Sequence, residues 1–133
     1  MGGMAKPKID ATLDGLEAGV AGKARVAEGM GFDGIWNPEL DFDSFAPLGV
    51  VADRTEDVEL GTRIATAFTR SPMVLAYKGW DLARFSEGRF VLGLGTQVQA
   101  HNERRFSVGW EEPTGRLREV VESVRHAWDY WQG

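Results

Sequence analysis

The chain has 133 residues, of which 43% are hydrophobic and 26% are charged, with a formal net charge of −5. This length suits one domain with a sizeable core. The acidic balance argues against general binding to nucleic acids or anionic membranes, because their phosphates would be repelled. The absence of cysteine excludes disulfides and cysteine-ligated metals. No apolar run has the length of a membrane span or the character of a signal peptide, so we predict a cytoplasmic protein.

Residues 1–7 are predicted to be a tag or a disordered N-terminus, and residues 8–133 a single domain. In that domain, short apolar runs alternate with stretches of helical period. Ser71 followed by Pro72 marks one helix start, since proline suits the first helical position. In chain order the prediction is strand 8–13, helix 16–30, strand 32–37, helix 44–55, strand 58–68, helix 71–85, strand 89–95 and helix 114–131.

The alternating order predicts an α/β fold with parallel strands joined by right-handed helical crossovers. Four such units make half of a (β/α)8 barrel, which needs roughly 250 residues. All helices would then cover one face and leave the other bare, with residues such as Ile64, Leu92 and Leu94 or their neighbours on it. A small doubly wound sheet, with helices on both faces and strand order 2-1-3-4, is the alternative.

Polar residues follow the fourth predicted strand. Gly93 and Gly95 resemble the start of a dinucleotide fingerprint, but Val98 replaces its third glycine, and no helix is predicted directly afterwards. A classical dinucleotide site is therefore not predicted. Thr96 and Gln97 nevertheless lie where α/β proteins place ligand-binding groups, and so does His101 a few residues later.

Two charged residues stand out at the second and third predicted strands. Glu39 could bind a ligand or act as a base, or it could be a solvated loop acid beside Asp41 and Asp43. These acids lack the glycine and the distal glutamate of a calcium-binding loop, so no metal site is predicted. Arg63 lies in an otherwise apolar strand, and a buried charge there must pair with an acid or face a ligand.

Three segments carry a family resemblance, which covers the chain from about residue 8 to 131. They are "AEGMGFDGIWNPE", the stretch from "VELGTRIATAFTRSP" to "GRFVLGLGT", and "RLREVVESVRHAWDYW". Together they resemble the N-terminal half of the luciferase-like monooxygenase superfamily, and most closely its deazaflavin (coenzyme F-420)-dependent oxidoreductases. The resemblance implies a (β/α)8 barrel that transfers hydride between a small-molecule substrate and a deazaflavin or FMN. The cofactor would lie across the carboxyl ends of the strands.

The resemblance also implies roles for particular positions near the second and third strands. Glu39 matches the acidic residue that the family places after the second strand, while Leu40 stands where a histidine often follows. Arg63 and Ile64 match a bulge with a non-proline cis peptide behind the flavin ring. Thr66 matches a polar group that contacts the cofactor.

The turn after the fourth strand matches a further part of the family's cofactor site. Thr96, Gln97 and Val98 match groups that bind the ring or its ribityl tail, and His101 and Asn102 extend that surface. Glu39 and His101 are the expected catalytic residues. The chain is expected to be a truncated half-barrel, inactive alone, that self-associates or pairs with a complementary half-barrel. The alternative is a non-catalytic oligomerising module with weak or no flavin binding.

Overall fold

The computed structural model describes residues 6–133; residues 1–5 of the predicted tag or disordered N-terminus lie outside the described part. Strands and helices alternate through that range. In chain order they are β1 (Asp10–Thr12), α1 (Val20–Gly29), β2 (Gly34–Asn37), α2 (Leu48–Arg54), β3 (Glu59–Thr62), β4 (Ala65–Thr66), α3 (Pro72–Phe85), β5 (Phe90–Val91), β6 (Leu94–Gly95), α4 (Gln99–Arg105) and α5 (Pro113–Gln132).

The strands form a four-stranded parallel sheet in the order β1-β2-β3-β5, and β4 pairs in parallel with β6. This sequential order is that of a barrel segment and excludes the doubly wound alternative, whose order would be 2-1-3-4. Because all pairings are parallel, the carboxyl ends of the strands meet at one edge of the sheet. The predicted half-barrel is therefore confirmed.

The third and fourth predicted strands are each divided in two. β3 and β4 are separated by a cis peptide bond between Arg63 and Ile64. Gly93 lies between β5 and β6, and a Cβ there would approach the backbone oxygen of Thr62 to 2.2 Å. The Thr62 hydroxyl accepts a hydrogen bond from Gly93 N at 2.9 Å and donates to Gly93 O at 2.8 Å. The prediction of unbroken strands is thus wrong, and this close approach explains the glycine.

The helices pack in a row against one face of the sheet. Ile35 and Leu60 join α1 and α2 in one buried cluster, while Ala65 joins α3 and α5 in a second. The opposite, concave face carries the register Thr12, Trp36, Gly61 and Val91, with Val91 40% exposed. Val91, the neighbour of Leu92, is thus on the bare face as expected, whereas Leu92 and Leu94 themselves pack against the second cluster.

Two predicted helix starts need correction. The first helix begins at Val20 rather than at residue 16, after a left-handed Gly19 with a φ of +84°. The second helix begins at Leu48 rather than at residue 44, because Asp43 Oδ2 accepts hydrogen bonds from the backbone N–H groups of Phe45 and Ala46 in a turn. α4 was not predicted at all. The start of α3 is confirmed, with Ser71 Oγ accepting from the N–H of Val74 at 3.2 Å. Across residues 6–133, none of the helices has the length and hydropathy of a membrane span.

Candidate functional site

The carboxylate of Glu39 lies buried at the carboxyl ends of the strands, where the chain leaves β2. Only 7% of the residue is exposed, so it is not a solvated loop acid. Its Oε1 accepts hydrogen bonds from the backbone N–H of Thr66 at 2.7 Å and from the Thr66 hydroxyl at 2.8 Å. The contact joins the loop after β2 to the end of β4, through two residues that are 27 positions apart in sequence.

Arg70 neutralises this buried carboxylate with a two-pronged ion pair. Its two terminal nitrogens reach Glu39 Oε1 at 2.9 Å and Oε2 at 2.5 Å, and one of them also reaches Asp43 Oδ1 at 2.6 Å. Burial on its own raises the pKa of Glu39, but the hydrogen bonds from Arg70 and Thr66 outweigh burial and hold that pKa below its usual value. Glu39 is therefore a fixed anion at neutral pH.

Asn37, the last residue of β2, organises the loops around this pair. Its Oδ1 accepts from the N–H of Gly15 at 2.9 Å, in the loop after β1. Its Nδ2 donates to the carbonyl oxygens of Ser44 at 2.8 Å and Asp43 at 3.2 Å, in the loop after β2. One buried amide thus fixes the Asp43 segment that faces Arg70.

The turn after β6 forms a second polar region. Asn102 of α4 donates from Nδ2 to the carbonyl oxygens of Thr96 at 2.9 Å and Val98 at 3.0 Å. Its Oδ1 is buried with no hydrogen-bond partner in the described chain. Gln97 has a φ of +59°, in the left-handed region, so the turn is sharp. Beside the turn, Ile64 packs against Gly95, where a Cβ would approach Ile64 Cδ1 to 3.0 Å.

α4 brings this turn to the loop that carries Glu39. Arg105 donates to the carbonyl oxygen of Leu40 at 2.6 Å and lies 3.3 Å from His101 Nδ1. Between the two loops is an open pocket of about 300 Å³. We call it the strand-end pocket; it is lined by Glu39, Leu40, Asp41, Phe42, Asp43, Thr69, Arg70, Arg105 and Phe106.

Arg63 takes a different direction from the other predicted site residues. Its guanidinium lies 4.5 Å from the ring centroid of Trp36 and 3.7 Å from Asp10 Oδ2. Its side chain is 59% exposed on the concave face. Arg63 is thus exposed rather than buried, and its pairing with Asp10 leaves the guanidinium open to a ligand on the concave face.

The structure brings some predicted residues together and leaves others apart. Glu39 contacts Thr66, and Ile64 lies beside the turn of Thr96, Gln97 and Val98. His101 touches Arg105 but does not line the strand-end pocket. Sequence reasoning missed Arg70 and Asp43. One sequence signal could have indicated Arg70 as a site residue. It lies directly before the helix cap Ser71, at the carboxyl end of a predicted strand.

Comparison with known proteins agrees with this architecture. Residues 6–133 match the family model described as luciferase-like monooxygenase. An uncharacterized protein of Mycobacterium tuberculosis is 46% identical over 132 residues, covering 99% of this chain and 39% of the relative. The 5,10-methylenetetrahydromethanopterin reductase of Methanolobus tindarius is 32% identical over 108 residues, covering 80% of this chain and 33% of the relative. The chain thus spans between a third and two fifths of these relatives.

Solved structures show the same fold. The coenzyme F-420-dependent tetrahydromethanopterin reductase of Methanopyrus kandleri has a TM-score of 0.74 at 24% identity, covering 89% of this chain and 39% of that chain. The FMN complex of the 3,6-diketocamphane monooxygenase from Pseudomonas putida has a TM-score of 0.76 at 15% identity, covering 91% of this chain and 39% of that chain. The chain belongs to the luciferase-like monooxygenase family.

Proposed function

We propose that this chain is the N-terminal, cofactor-binding part of a deazaflavin- or flavin-dependent oxidoreductase that acts on a small-molecule substrate. The observation that carries the proposal is the Glu39–Thr66 contact, which joins two strand ends beside the strand-end pocket. Ligands of parallel α/β folds bind at this edge of the sheet. The relatives named as reductases and the neighbour with FMN support the choice of cofactor.

The residues present fit such a cofactor. The turn after β6 is open to a ligand, with Val98 54% exposed, whereas Asn102, expected to extend this surface, is fully buried and instead holds the turn through the carbonyl oxygens of Thr96 and Val98. We assign cofactor contacts to Arg63 and Ile64 on one side, and to the turn of Thr96, Gln97 and Val98 on the other; Thr66, fully buried, would support the site through Glu39 and Thr69. When bound, the cofactor supplies the hydride-transfer chemistry. Glu39 would fix Thr66, and His101 is proposed to exchange a proton with the substrate.

A cofactor titration tests this proposal. Oxidised coenzyme F-420 and FMN are added separately to the purified chain, and cofactor fluorescence gives the dissociation constant. Saturable binding should weaken about three- to tenfold in Thr96→Ala, the value of one hydrogen bond. Thr114→Ala, an exposed change on α5, is the matched control and should bind like the original chain. Absence of saturable binding of either cofactor would contradict the proposal.

A second candidate is a non-catalytic module that oligomerises through its open side. The observation that favours it is that, within residues 6–133, no further strand pairs with the outer edges of β1 and β5, together with the exposed Val91 on the concave face. This candidate predicts self-association or pairing with a complementary half-barrel, with weak or no cofactor binding that Thr96→Ala leaves unchanged, so the same titration separates it from the first. For either function we propose a cytoplasmic location, with which a cysteine-free sequence is compatible.

A further inference from the structure

Three side-chain oxygens form a row from the strand-end pocket to the buried carboxylate. Thr69 lines the pocket, and its hydroxyl oxygen lies 2.5 Å from that of Thr66. The Thr66 hydroxyl lies in turn 2.8 Å from Glu39 Oε1. We call this row the hydroxyl chain. One end is half-exposed and the other is buried.

The charge on Glu39 fixes the direction of every hydrogen bond in the hydroxyl chain. An ionised carboxylate has no proton and only accepts, so the Thr66 hydroxyl must donate to Glu39. Each hydroxyl carries a single hydrogen, and the Thr66 oxygen is therefore left to accept from Thr69. The other acceptor for Thr69, the carbonyl oxygen of Thr66, is farther away at 3.4 Å. Thr69 thus donates its only hydroxyl hydrogen to Thr66 and has none left to donate to a ligand in the pocket.

We propose that Thr69 is a specificity-determining residue of the strand-end pocket, because it presents an acceptor with no hydrogen to give. It would select a ligand that brings an O–H or N–H donor to that point. Leu40, 53% exposed, and Phe106 give the pocket apolar walls, so the donor should be attached to an apolar body. The inference rests on the proposed function, in that the pocket would receive the substrate.

The two arginines that line the pocket are paired within the protein. Arg70 pairs with Glu39 and Asp43, and Arg105 donates to Leu40 O and contacts His101. Asp41 lines the pocket as a further acceptor. Asp43 and Asp41 would add to the preference for donors over acceptors, so the test must isolate Thr69.

Two probes of nearly equal shape provide that test: benzyl alcohol, which carries a donor, and benzyl methyl ether, which does not. Binding is followed by NMR chemical-shift titration of the 15N-labelled chain, at the amides of Thr69, Leu40 and Phe106. The alcohol should bind about three- to tenfold more tightly than the ether. Thr69→Ser should keep that ratio, Thr69→Val should reduce it to about one, and Thr114→Val should leave it unchanged.

A pH series separates this role from a merely structural one. A protonated Glu39 can donate a hydrogen bond to the Thr66 hydroxyl. Thr66 is then free to donate to Thr69, and the Thr69 hydroxyl is no longer restricted to accepting from a ligand. The alcohol preference should therefore disappear as the pH falls through the pKa of Glu39. In Arg70→Gln, which removes the cation beside the carboxylate, the loss should occur at higher pH. Any variant must first show the amide spectrum of a folded chain.

Three results would overturn the inference: equal affinities for the two probes, an alcohol preference that survives in Thr69→Val, or no shift with either probe at millimolar concentration. Failure here with intact cofactor binding overturns the specificity role and leaves the proposed function standing. Failure of the cofactor titration with an intact alcohol preference overturns the proposed function and leaves a donor-selective pocket.

Discussion

At the residue scale, the ion pair between Glu39 and Arg70 decides what the site can do. A carboxylate that accepts five hydrogen bonds, two of them from a guanidinium, is a weak proton acceptor at neutral pH. The geometry therefore favours Glu39 as a fixed anion that orients Thr66. His101 contacts the pocket residue Arg105 but does not line the strand-end pocket, so its catalytic role stays a prediction.

Replacing one partner of this pair should be costly. In Glu39→Gln the buried guanidinium of Arg70 keeps Asp43 as its only carboxylate partner. We expect the free energy of unfolding to fall by about 2–3 kcal/mol, toward the low end for a broken buried ion pair. Urea denaturation measures the change. Asp53→Asn, which breaks an exposed ion pair with Arg54, is the control and should have little effect.

The same carboxylate predicts the acid limb of the stability profile. The pKa of Glu39 is lower in the folded chain than its ordinary value of 4.5, so the unfolded chain binds the proton more readily. Its stabilisation is complete above that ordinary value and is lost as the pH falls through the folded-state pKa. Thermal melts between pH 6 and pH 3 should show a steeper loss for the original chain than for Glu39→Gln. Parallel curves would contradict this.

At the element scale, a carboxylate on α1 holds the loop that precedes β3. Glu28 accepts hydrogen bonds from the backbone N–H groups of Glu56, Asp57 and Val58, at 2.8–3.1 Å. These bonds satisfy backbone donors at the entry to the sheet and set the position of α1 over it. The contact joins residues 28 to 30 positions apart, so the sequence of either segment alone does not predict it.

Glu28→Gln should therefore loosen the α1–β3 junction. An amide accepts more weakly than a carboxylate, and we expect a loss of about 1 kcal/mol in unfolding free energy, discounted for partial exposure. Glu17→Gln, which removes only an exposed contact with Lys23, should cause no measurable change. Chemical denaturation of both variants makes the comparison, and equal effects would show that the Glu28 contacts add nothing.

A glycine sets the fit between Trp36 and the neighbouring strands. A Cβ on Gly61 would come within 2.3 Å of Val91 O and 2.5 Å of the Trp36 ring, whereas one on Gly49 would meet nothing. Gly61→Ala should lower the unfolding free energy by about 1–3 kcal/mol through overpacking. Gly49→Ala, in α2, should be neutral or stabilising by up to about 1 kcal/mol. Melting temperatures that move together would refute this reading.

The sequence predicts the elements better than the site, for physical reasons. Alternating apolar runs identify the four βα units because each strand and helix buries one face. The sequence does not predict α4, because Asn102 is the one buried residue of this helix and the helix therefore has no apolar stripe. Arg70 escapes because its partner Glu39 lies 31 residues away. The break at Arg63 was anticipated through the family resemblance alone, since nothing in "TRIAT" requires it.

At the scale of the whole molecule, the half-barrel has two unlike faces. Helices cover one face, while the concave face keeps Val91 and Arg63 exposed between open strand edges. Parallel sheets are normally covered on both faces. A chain of this shape should gain stability when a second surface covers the concave side.

We therefore expect the purified chain to form dimers at micromolar concentration. Val91→Asp, on the edge strand β5 of the concave face, should shift the population to monomers, because the carboxylate would be buried without a partner in the dimer. Tyr130→Asp, on the outer side of α5, should leave the dimer intact. Size-exclusion chromatography with light scattering gives the masses. A well-folded monomeric original chain would argue against self-association.

Trp36 also makes the concave side optically readable. Among the described residues, the Trp36 indole is the one tryptophan ring on that face. The Arg63 guanidinium lies over this indole, 4.5 Å from the ring centroid. The remaining tryptophans belong to the helical side: Trp80, Trp110, Trp128 and Trp131. With those four changed to phenylalanine, the fluorescence emission spectrum would report only binding at the concave face. Binding of a cofactor, a second half-barrel or a second copy to that face would then shift the wavelength of the Trp36 fluorescence emission.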